Sequence, residues 1–250
     1  MKHLEYCDAV AREVETFAAT VKGVDPDIPV PTCPGWTIAS LIKHAGGVHR
    51  WAAAMVRVGA TARLDPRTLD LDLPPAATEY ADWLAAGAGP LVSALRAAEP
   101  DQPMWAWGAD QHARFWSRRM LLETTVHRAD AELALGRPPE IDPGVAIDGL
   151  DELLENLPCA GYFAPGVNEL KGTGESLHWH ATDAEGEWMI VLGPDGFAWE
   201  RGHGKASVAV RGPAAGLLLL AYGRRSPDGE GLECLGDRSV LERWLSNSAL

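Results

Sequence analysis

The spacing of apolar residues changes once along this chain, close to Pro158. Before that position, apolar residues recur every three or four positions, which is the period of an amphipathic helix. Four such segments are present, and they begin near Leu4, at Thr37 as a helix N-cap, after Pro75 and near Arg114. Because the connections between them are of modest length, the pattern predicts a four-helix bundle.

Two local features refine the helical half. Gly87, Gly89 and Pro90 interrupt the third segment, so a break or kink is expected there. The fourth helix is predicted to stop at Gly136, which is typical of a helix C-terminus. A further helix over 145–157 is expected to lead out of the bundle.

After Pro158 the segments are shorter and resemble strands. Residues 176–182 and 187–192 have the length and composition of strands, and turn residues separate them. Further strands are expected at 197–200 and 207–211, and helices at 213–222 and 237–245. We therefore predict an α+β fold, in which an N-terminal four-helix bundle (1–158) precedes a smaller C-terminal α/β domain with a mostly antiparallel sheet (159–250).

Charge and cysteine usage restrict the partners and the compartment. The net charge of -13 is spread along the chain, which argues against a nucleic-acid partner because binding phosphates requires clustered Lys and Arg. The N-terminus lacks a signal-peptide pattern, and the longest strongly apolar run, 217–221, is too short to span a membrane. Four scattered cysteines without a paired spacing indicate reduced thiols. We predict a cytoplasmic protein, monomer or homodimer, without a membrane partner.

The fourth predicted helix contains a metal-binding pattern. Glu123 and His127 are four positions apart and therefore lie on one helix face, where both can bind a single ion. A third ligand can come from His44 or His49 of the second helix. Those two histidines point roughly 140° apart, so they are not expected to bind the same ion together. Two nitrogens and one oxygen leave open coordination positions, as catalytic sites require. The alternative interpretation is an ordinary Glu–His surface pair.

Two motifs carry a resemblance to a known family. PTCPGWTIASLIKHAGGVHRW at 31–51 and ETTVHRAD at 123–130 resemble the two motifs of the mycothiol-dependent maleylpyruvate isomerase family. The resemblance implies a DinB-like four-helix bundle with a catalytic divalent metal, followed by a smaller α/β domain. It assigns the metal ligands to His44, Glu123 and His127, and leaves His49 off the ligand position.

The resemblance also implies a cofactor and one further site residue. AYGRR at 221–225 is similar to the family's A-x-G-R motif, which makes Arg224 a candidate catalytic residue. An arginine that caps the preceding helix is the alternative. Zn²⁺ is the expected metal, with Ni²⁺, Fe²⁺ or Mn²⁺ as alternatives, and mycothiol is the expected cosubstrate. Arg118 and Arg119 are not assigned a role, because two adjacent arginines on a helix are typical of a solvated face.

The implied function is a mycothiol-dependent metalloenzyme. A metal-activated thiolate would isomerise a small, carboxylate-bearing substrate or would be transferred to it. Asp130, three residues after His127, either fixes the ring of that histidine or is an ordinary carboxylate on the helix face. A metal-dependent hydrolase and a non-catalytic metal- or ligand-binding protein on the same scaffold remain the alternative functions.

Overall fold

The computed structural model describes residues 1–248, so the last two positions of the predicted second domain lie outside the described part. The described residues form seven α-helices, five strands and several short 3-10 turns. The helices are α1 (His3–Val21), α2 (Ile38–Arg57), α3 (Tyr80–Ala97), α4 (Ala113–Ala134), α5 (Pro143–Asn156), α6 (Ala214–Ala221) and α7 (Arg238–Asn247). The strands are β1 (Ser176–Ala181), β2 (Glu187–Gly193), β3 (Gly196–Arg201), β4 (Val208–Gly212) and β5 (Glu233–Gly236).

The chain divides into two compact units. The first comprises Met1–Ala106 and Asp110–Pro139 and contains α1 to α4; the second comprises Trp107–Ala109 and the chain from Glu140 onward. The α+β fold class is therefore confirmed. The units divide ahead of the predicted boundary at 158, because α5 packs against α6 of the second unit.

The first unit is a bundle in which α1 and α2 each pack mainly against α3 and α4. Large apolar side chains from all four helices are fully buried between them, including Phe17, Met55, Leu84 and Trp116. Thr37 is the N-cap of α2, as predicted, and its hydroxyl accepts a hydrogen bond from the backbone N–H of Ser40. This arrangement brings α2 beside α4, the two helices that carry the predicted metal ligands.

Helix α3 continues through Gly87, Gly89 and Pro90, so the predicted break was wrong, whereas the alternative of a kink stays a prediction. Gly87 of α3 and Gly46 of α2 allow close packing, whereas Gly89 faces open space. A Cβ at Gly87 would lie 2.7 Å from Nη1 of Arg50, and a Cβ at Gly46 of α2 would lie 2.2 Å from the Trp83 ring. Arg50 in turn stacks over Trp83, with its Cζ 3.9 Å from the ring centroid. Pro90 itself is exposed, and burial of Leu84, Leu91 and Leu95 on the opposite face supports the helix despite the lost hydrogen bond.

The second unit is a five-stranded sheet in the order β3-β2-β1-β4-β5. The pairing of β1 with β4 is parallel and the other three pairings are antiparallel, so the mostly antiparallel sheet is confirmed. Residues of α5, α6 and α7, among them Leu150, Ala221 and Trp244, enclose a small apolar space against Trp179 of the sheet. The helices therefore cover one sheet face. Strand β5 is short and was not predicted, because ECLG lacks a clear alternation.

Asp151 shows why α5 belongs with the sheet. Its carboxylate accepts hydrogen bonds from Nε1 of Trp188 on β2 (2.9 Å) and from Nε of Arg201 on β3 (2.7 Å). Arg201 also stacks over the Trp188 ring. These contacts join the helix to two neighbouring strands and account for the division of the chain before α5.

Two other properties concern the whole described chain. None of the helices in residues 1–248 combines the length and apolar character that crossing a bilayer requires. All four cysteines, Cys7, Cys33, Cys159 and Cys234, are free thiols.

Candidate metal centre

A tight turn precedes α2 and forms one wall of the candidate site. The backbone N–H of Trp36 donates to the carbonyl of Cys33 (3.0 Å), and Gly35 between them has a φ of 84°. Pro34 followed by a glycine with positive φ is the pattern of a type II turn, where a side chain at the glycine position would be strained. The turn brings the Trp36 ring to 4.9 Å from the His44 ring and 6.2 Å from the His127 ring, measured between centroids.

The three predicted ligands converge. Oε1 of Glu123 lies 3.1 Å from Nε2 of His44 on α2 and 3.3 Å from Nε2 of His127, one turn further along α4. Their potential ligand atoms lie within 4.8 Å of one another. His44 and Glu123 are partly exposed, whereas His127 is buried, so the group opens toward solvent on the His44 side. Two imidazole nitrogens and one carboxylate oxygen are a donor set suited to Zn²⁺ and similar divalent ions.

A buried carboxylate fixes the orientation of His127. Oδ2 of Asp130 lies 2.8 Å from Nδ1 of His127, and the Asp130 side chain is completely buried. The same carboxylate accepts hydrogen bonds from the Thr32 hydroxyl (2.6 Å) and the Cys33 thiol (3.4 Å). Asp130 therefore acts as an acceptor, His127 donates from Nδ1, and Nε2 faces Glu123. Of the two interpretations of Asp130, the structure supports the one in which it fixes the histidine ring.

Arg119 holds the other oxygen of Glu123. This arginine is buried, one turn before Glu123 on α4, and its Nη2 lies 3.1 Å from Oε2. Burial by itself would raise the pKa of Glu123, but hydrogen bonds from His127 and His44 and the nearby Arg119 charge keep it well below its ordinary value. For His127, burial would lower the pKa, whereas hydrogen bonds with Asp130, Cys33 and Glu123 keep it well above its ordinary value. Glu123 is therefore held as a carboxylate.

His49 is separate from the ligand group, as predicted. It is fully buried, and its Nε2 lies 2.8 Å from the hydroxyl of Thr124. That hydroxyl already donates to the carbonyl of Met120, so it must accept from His49. Burial lowers the pKa of His49 to about 4, which keeps the ring neutral at physiological pH.

Comparison with known proteins identifies the family. The model of the mycothiol maleylpyruvate isomerase N-terminal domain matches residues 7–132, which is half of the chain. The chain belongs to the mycothiol maleylpyruvate isomerase family. The model of the C-terminal domain of the same family matches residues 144–243, so both units are covered. The predicted family is thus confirmed, and it is a family of enzymes.

Solved structures agree on the fold. A crystal structure of the mycothiol-dependent maleylpyruvate isomerase matches with a TM-score of 0.62 at 16% identity, covering 94% of this chain and 93% of that one. A structure of a histidine-to-alanine mutant of that isomerase matches with a TM-score of 0.61 at the same identity and coverage. A search of the curated proteins finds no sequence match.

Arg224, the candidate from the A-x-G-R motif of the mycothiol maleylpyruvate isomerase family, belongs to the second unit. It follows α6, and its backbone N–H donates to the carbonyl of Leu219 (2.7 Å). Its Nη1 donates to the carbonyl of Tyr222 (2.7 Å). The residue therefore contacts the carbonyls at the end of α6, as the capping alternative requires, and its catalytic role stays a prediction.

Sequence reasoning missed three residues around this candidate site. Arg119 was left without a role, although its spacing of four from Glu123 is the signal that predicts their contact. Thr32 and Cys33 come from the turn before α2, and no helical spacing relates them to Asp130. Cys33, His127 and Asp130 also form a second group of potential ligands that uses the other nitrogen of His127. Because Asp130 already accepts hydrogen bonds from Thr32, Cys33 and His127, the His44 group is the better candidate for a metal.

Proposed function

We propose that this chain is a mycothiol-dependent metalloenzyme that holds one divalent ion through His44, Glu123 and His127. Its reaction would be the isomerisation of a small carboxylate-bearing substrate, or thiol transfer to it. The observation that carries the proposal is the convergence of two imidazole nitrogens on one oxygen of Glu123 at a solvent-facing position. Membership of a family named for mycothiol and maleylpyruvate supports the choice of thiol and substrate class.

The residues around the ligands support this role by orienting them. Asp130 keeps the proton of His127 on Nδ1, which directs the lone pair of Nε2 toward the ion. Arg119 binds Oε2 of Glu123 and leaves Oε1 for the ion. A ligand set whose orientation is determined before binding loses little conformational freedom when the ion enters.

The donor set also agrees with thiol chemistry. With two neutral imidazoles and one carboxylate, a divalent ion keeps a net charge near +1 and would lower the pKa of a thiol that coordinates it. Nitrogen and carboxylate ligands suit Zn²⁺, the ion we propose, and admit Ni²⁺, Fe²⁺ and Mn²⁺. Trp36 would provide an apolar wall beside the reacting groups, since its ring lies against both histidines.

Arg224 is the residue we propose for the substrate carboxylate. A guanidinium can bind a carboxylate through two parallel hydrogen bonds, which fixes the orientation of the substrate. Replacement by Lys would keep the charge and lose that geometry. We accordingly expect Arg224→Lys to raise KM for a carboxylate substrate while leaving metal content unchanged. The free cysteines are consistent with the cytoplasm as the working compartment.

The experiment combines metal analysis with an activity assay. Wild type, His44→Ala and Glu123→Gln are purified, loaded with Zn²⁺ and assayed for isomerisation of maleylpyruvate with and without mycothiol. Both variants should lose the ion from this site and more than about 100-fold in activity, because a ligand contributes at least as much as the groups that orient it. His112→Ala, which replaces a partly exposed histidine bonded to Asp110, serves as the matched control.

Each alternative function predicts a different result. Turnover that persists without mycothiol would favour hydrolysis. An ion bound at this site without turnover of any thiol or ester substrate would favour a binding protein. Wild type and Glu123→Gln with equal metal content would contradict the ligand assignment itself.

A further inference from the structure

The sheet of the second unit carries a second group of histidines. His178 and His180 lie on β1, Glu187 begins β2, and His203 follows the end of β3. The potential ligand atoms of these four side chains lie within 4.8 Å of one another. The group is independent of the bundle site, and none of its residues was singled out from the sequence.

Strand geometry explains how the first three meet. His178 and His180 are two positions apart, so both point to the same sheet face. That face is opposite to the one formed by Leu177 and Trp179, which are buried against the helices. In the antiparallel pairing of β1 with β2, His180 lies directly opposite Glu187, so their side chains are neighbours on that face.

The connection from β3 to β4 contributes the fourth residue. In the strand order β3-β2-β1-β4, this connection must pass β2 and β1 to reach β4. It passes on the histidine side, since Gly204 packs on Met189: a Cβ at Gly204 would lie 3.2 Å from the Met189 sulfur. Met189 is opposite His178 in the register. The crossing segment thereby covers His178, whose side chain is 7% exposed, and brings in His203, which remains 76% exposed.

All three imidazoles meet the one carboxylate. Oε2 of Glu187 lies 3.1 Å from Nε2 of His178 and 2.7 Å from Nδ1 of His203. Its Oε1 lies 2.9 Å from Nδ1 of His180. The rings of His178 and His203 stand edge to face, with centroids 4.9 Å apart. One carboxylate can neutralise only one imidazolium. Charge pairing with Glu187 therefore does not explain why three imidazole rings converge on it.

We propose that His178, His180, Glu187 and His203 form a second metal site that binds Zn²⁺. Three imidazole nitrogens select Zn²⁺ and related transition metals over Mg²⁺ and Ca²⁺, which prefer oxygen ligands. Four protein ligands fill a tetrahedral shell and leave no open position, which is the pattern of a structural site rather than a catalytic one. The ion would tie β1, β2 and the crossing segment together, and the exposed His203 provides the route of entry.

The test uses the full-length chain with the bundle site removed. In His44→Ala/Glu123→Gln, treated with a chelator and then titrated with Zn²⁺, we expect one ion per chain with a Kd of about 1 µM or tighter. Adding His203→Ala or, separately, His180→Gln should weaken that binding by at least about 100-fold. His112→Ala in the same background should leave it unchanged.

A thermal measurement separates loss of binding from loss of folding. Zn²⁺ should raise the unfolding midpoint of the double variant, because a ligand that binds only the folded chain stabilises it. The rise should disappear in the triple variants, while their midpoints without Zn²⁺ stay close to that of the double variant. His203 is suited to this comparison because its side chain is mostly exposed.

Two results would overturn the proposal. One is the absence of Zn²⁺ binding below millimolar concentration in the double variant. The other is binding of one ion whose affinity is the same after both His203→Ala and His180→Gln, which would locate the ion elsewhere. Neither result bears on the ligand assignment of the bundle site, because two of its three ligands, His44 and Glu123, are replaced in every protein of the series.

Discussion

In the bundle and in the sheet, histidines surround one glutamate, but different residues hold the side chains in place. In the bundle, Glu123 is held by a buried arginine, and one of its histidines is oriented by the buried Asp130. In the sheet, Glu187 receives three histidines directly, and the most exposed of them comes from a connecting segment. The first arrangement offers three ligands for an ion, whereas the second offers four, which is enough to fill a tetrahedral shell.

The difference shows what helices and strands contribute to a site. A helix pair supplies few ligands from each element, so the first site depends on surrounding residues for orientation. Adjacent strands present side chains about 5 Å apart on one face, so strand pairing supplies His178, His180 and Glu187. The crossing segment adds His203. We therefore expect orientation by surrounding groups to matter more for the bundle site than for the sheet site. Of the three measurements below, the one on Asp130→Asn tests that contrast directly.

The largest expected effect concerns the buried His49 of the bundle. Its pKa is about 4 in the folded chain, because burial disfavours the charged ring, against about 6.5 when unfolded. Below pH 6.5 the unfolded chain binds a proton that the folded chain does not, so this residue lowers stability as the pH falls from 6.5 to 4. Its full contribution is about 3 kcal/mol.

His49→Gln should remove that pH dependence and keep a donor for Thr124. The measurement is the free energy of unfolding by urea at pH 7 and pH 4.5, with a chelator present, for both proteins. The loss of stability on acidification should be smaller in the variant than in wild type. An equal loss of stability in the two proteins would show that His49 titrates normally. His112→Gln is the control, because it also replaces one histidine by glutamine but at a partly exposed position.

The next effect isolates the orienting carboxylate. Asp130→Asn keeps the shape of the side chain but cannot accept from His127, Thr32 and Cys33 together. We expect Zn²⁺ affinity at the bundle site to fall by about 10- to 100-fold. The variant is compared by calorimetric titration in a His203→Ala background, which weakens the proposed sheet site.

Asp27→Asn, at an exposed position, is the matched control for the lost negative charge. If Asp130→Asn binds Zn²⁺ as tightly as the control, the bundle site does not depend on its surrounding residues in the way we describe. The contrast between the two sites would then have no support.

The smallest effect compares one helix cap from each unit. Thr37 caps α2, which carries His44, and Asp237 caps α7 beside the sheet, where its Oδ1 accepts from the backbone N–H of Ser239. Replacement of either residue by Ala should lower the free energy of unfolding by about 1 kcal/mol. Urea denaturation monitored by circular dichroism measures both.

The two caps also test whether the units unfold together. If both substitutions shift a single unfolding transition by the same amount, the two units unfold together. Two separate transitions, each moved by only one of the substitutions, would show that the bundle and the sheet unfold independently, and that their sites can be studied separately.

Several features of the fold and of the bundle site follow from local sequence. Helical spacing predicts α1 to α4 because their apolar residues recur with the period of a helix. The spacing of Glu123 and His127 predicts that they share a face, and the angle between His44 and His49 predicts that only one of them joins the group. The identity of the third ligand needed the family resemblance, since spacing alone left both histidines open.

Other features depend on contacts between distant segments. The glycines of α3 indicate a break in isolation, but in the bundle Gly87 makes room for Arg50 of α2. Asp130 resembles an ordinary surface carboxylate until the turn containing Thr32 and Cys33 is brought against it. Helix α5 follows the bundle in sequence but packs with the sheet. The carboxylate of Asp151 and the apolar face of α5 both contact residues of the sheet.

The sequence by itself determined the order of the α-helices and of β1 to β4, the α+β class and the pair of ligands within one helix, because these depend on residues only a few positions apart. Only the tertiary structure decided that His178, His180, Glu187 and His203 meet. Their meeting requires the register of β1 on β2 and the side on which a connection crosses the sheet. Both are determined by packing over the whole unit, and neither can be predicted from residues that are close together in the sequence.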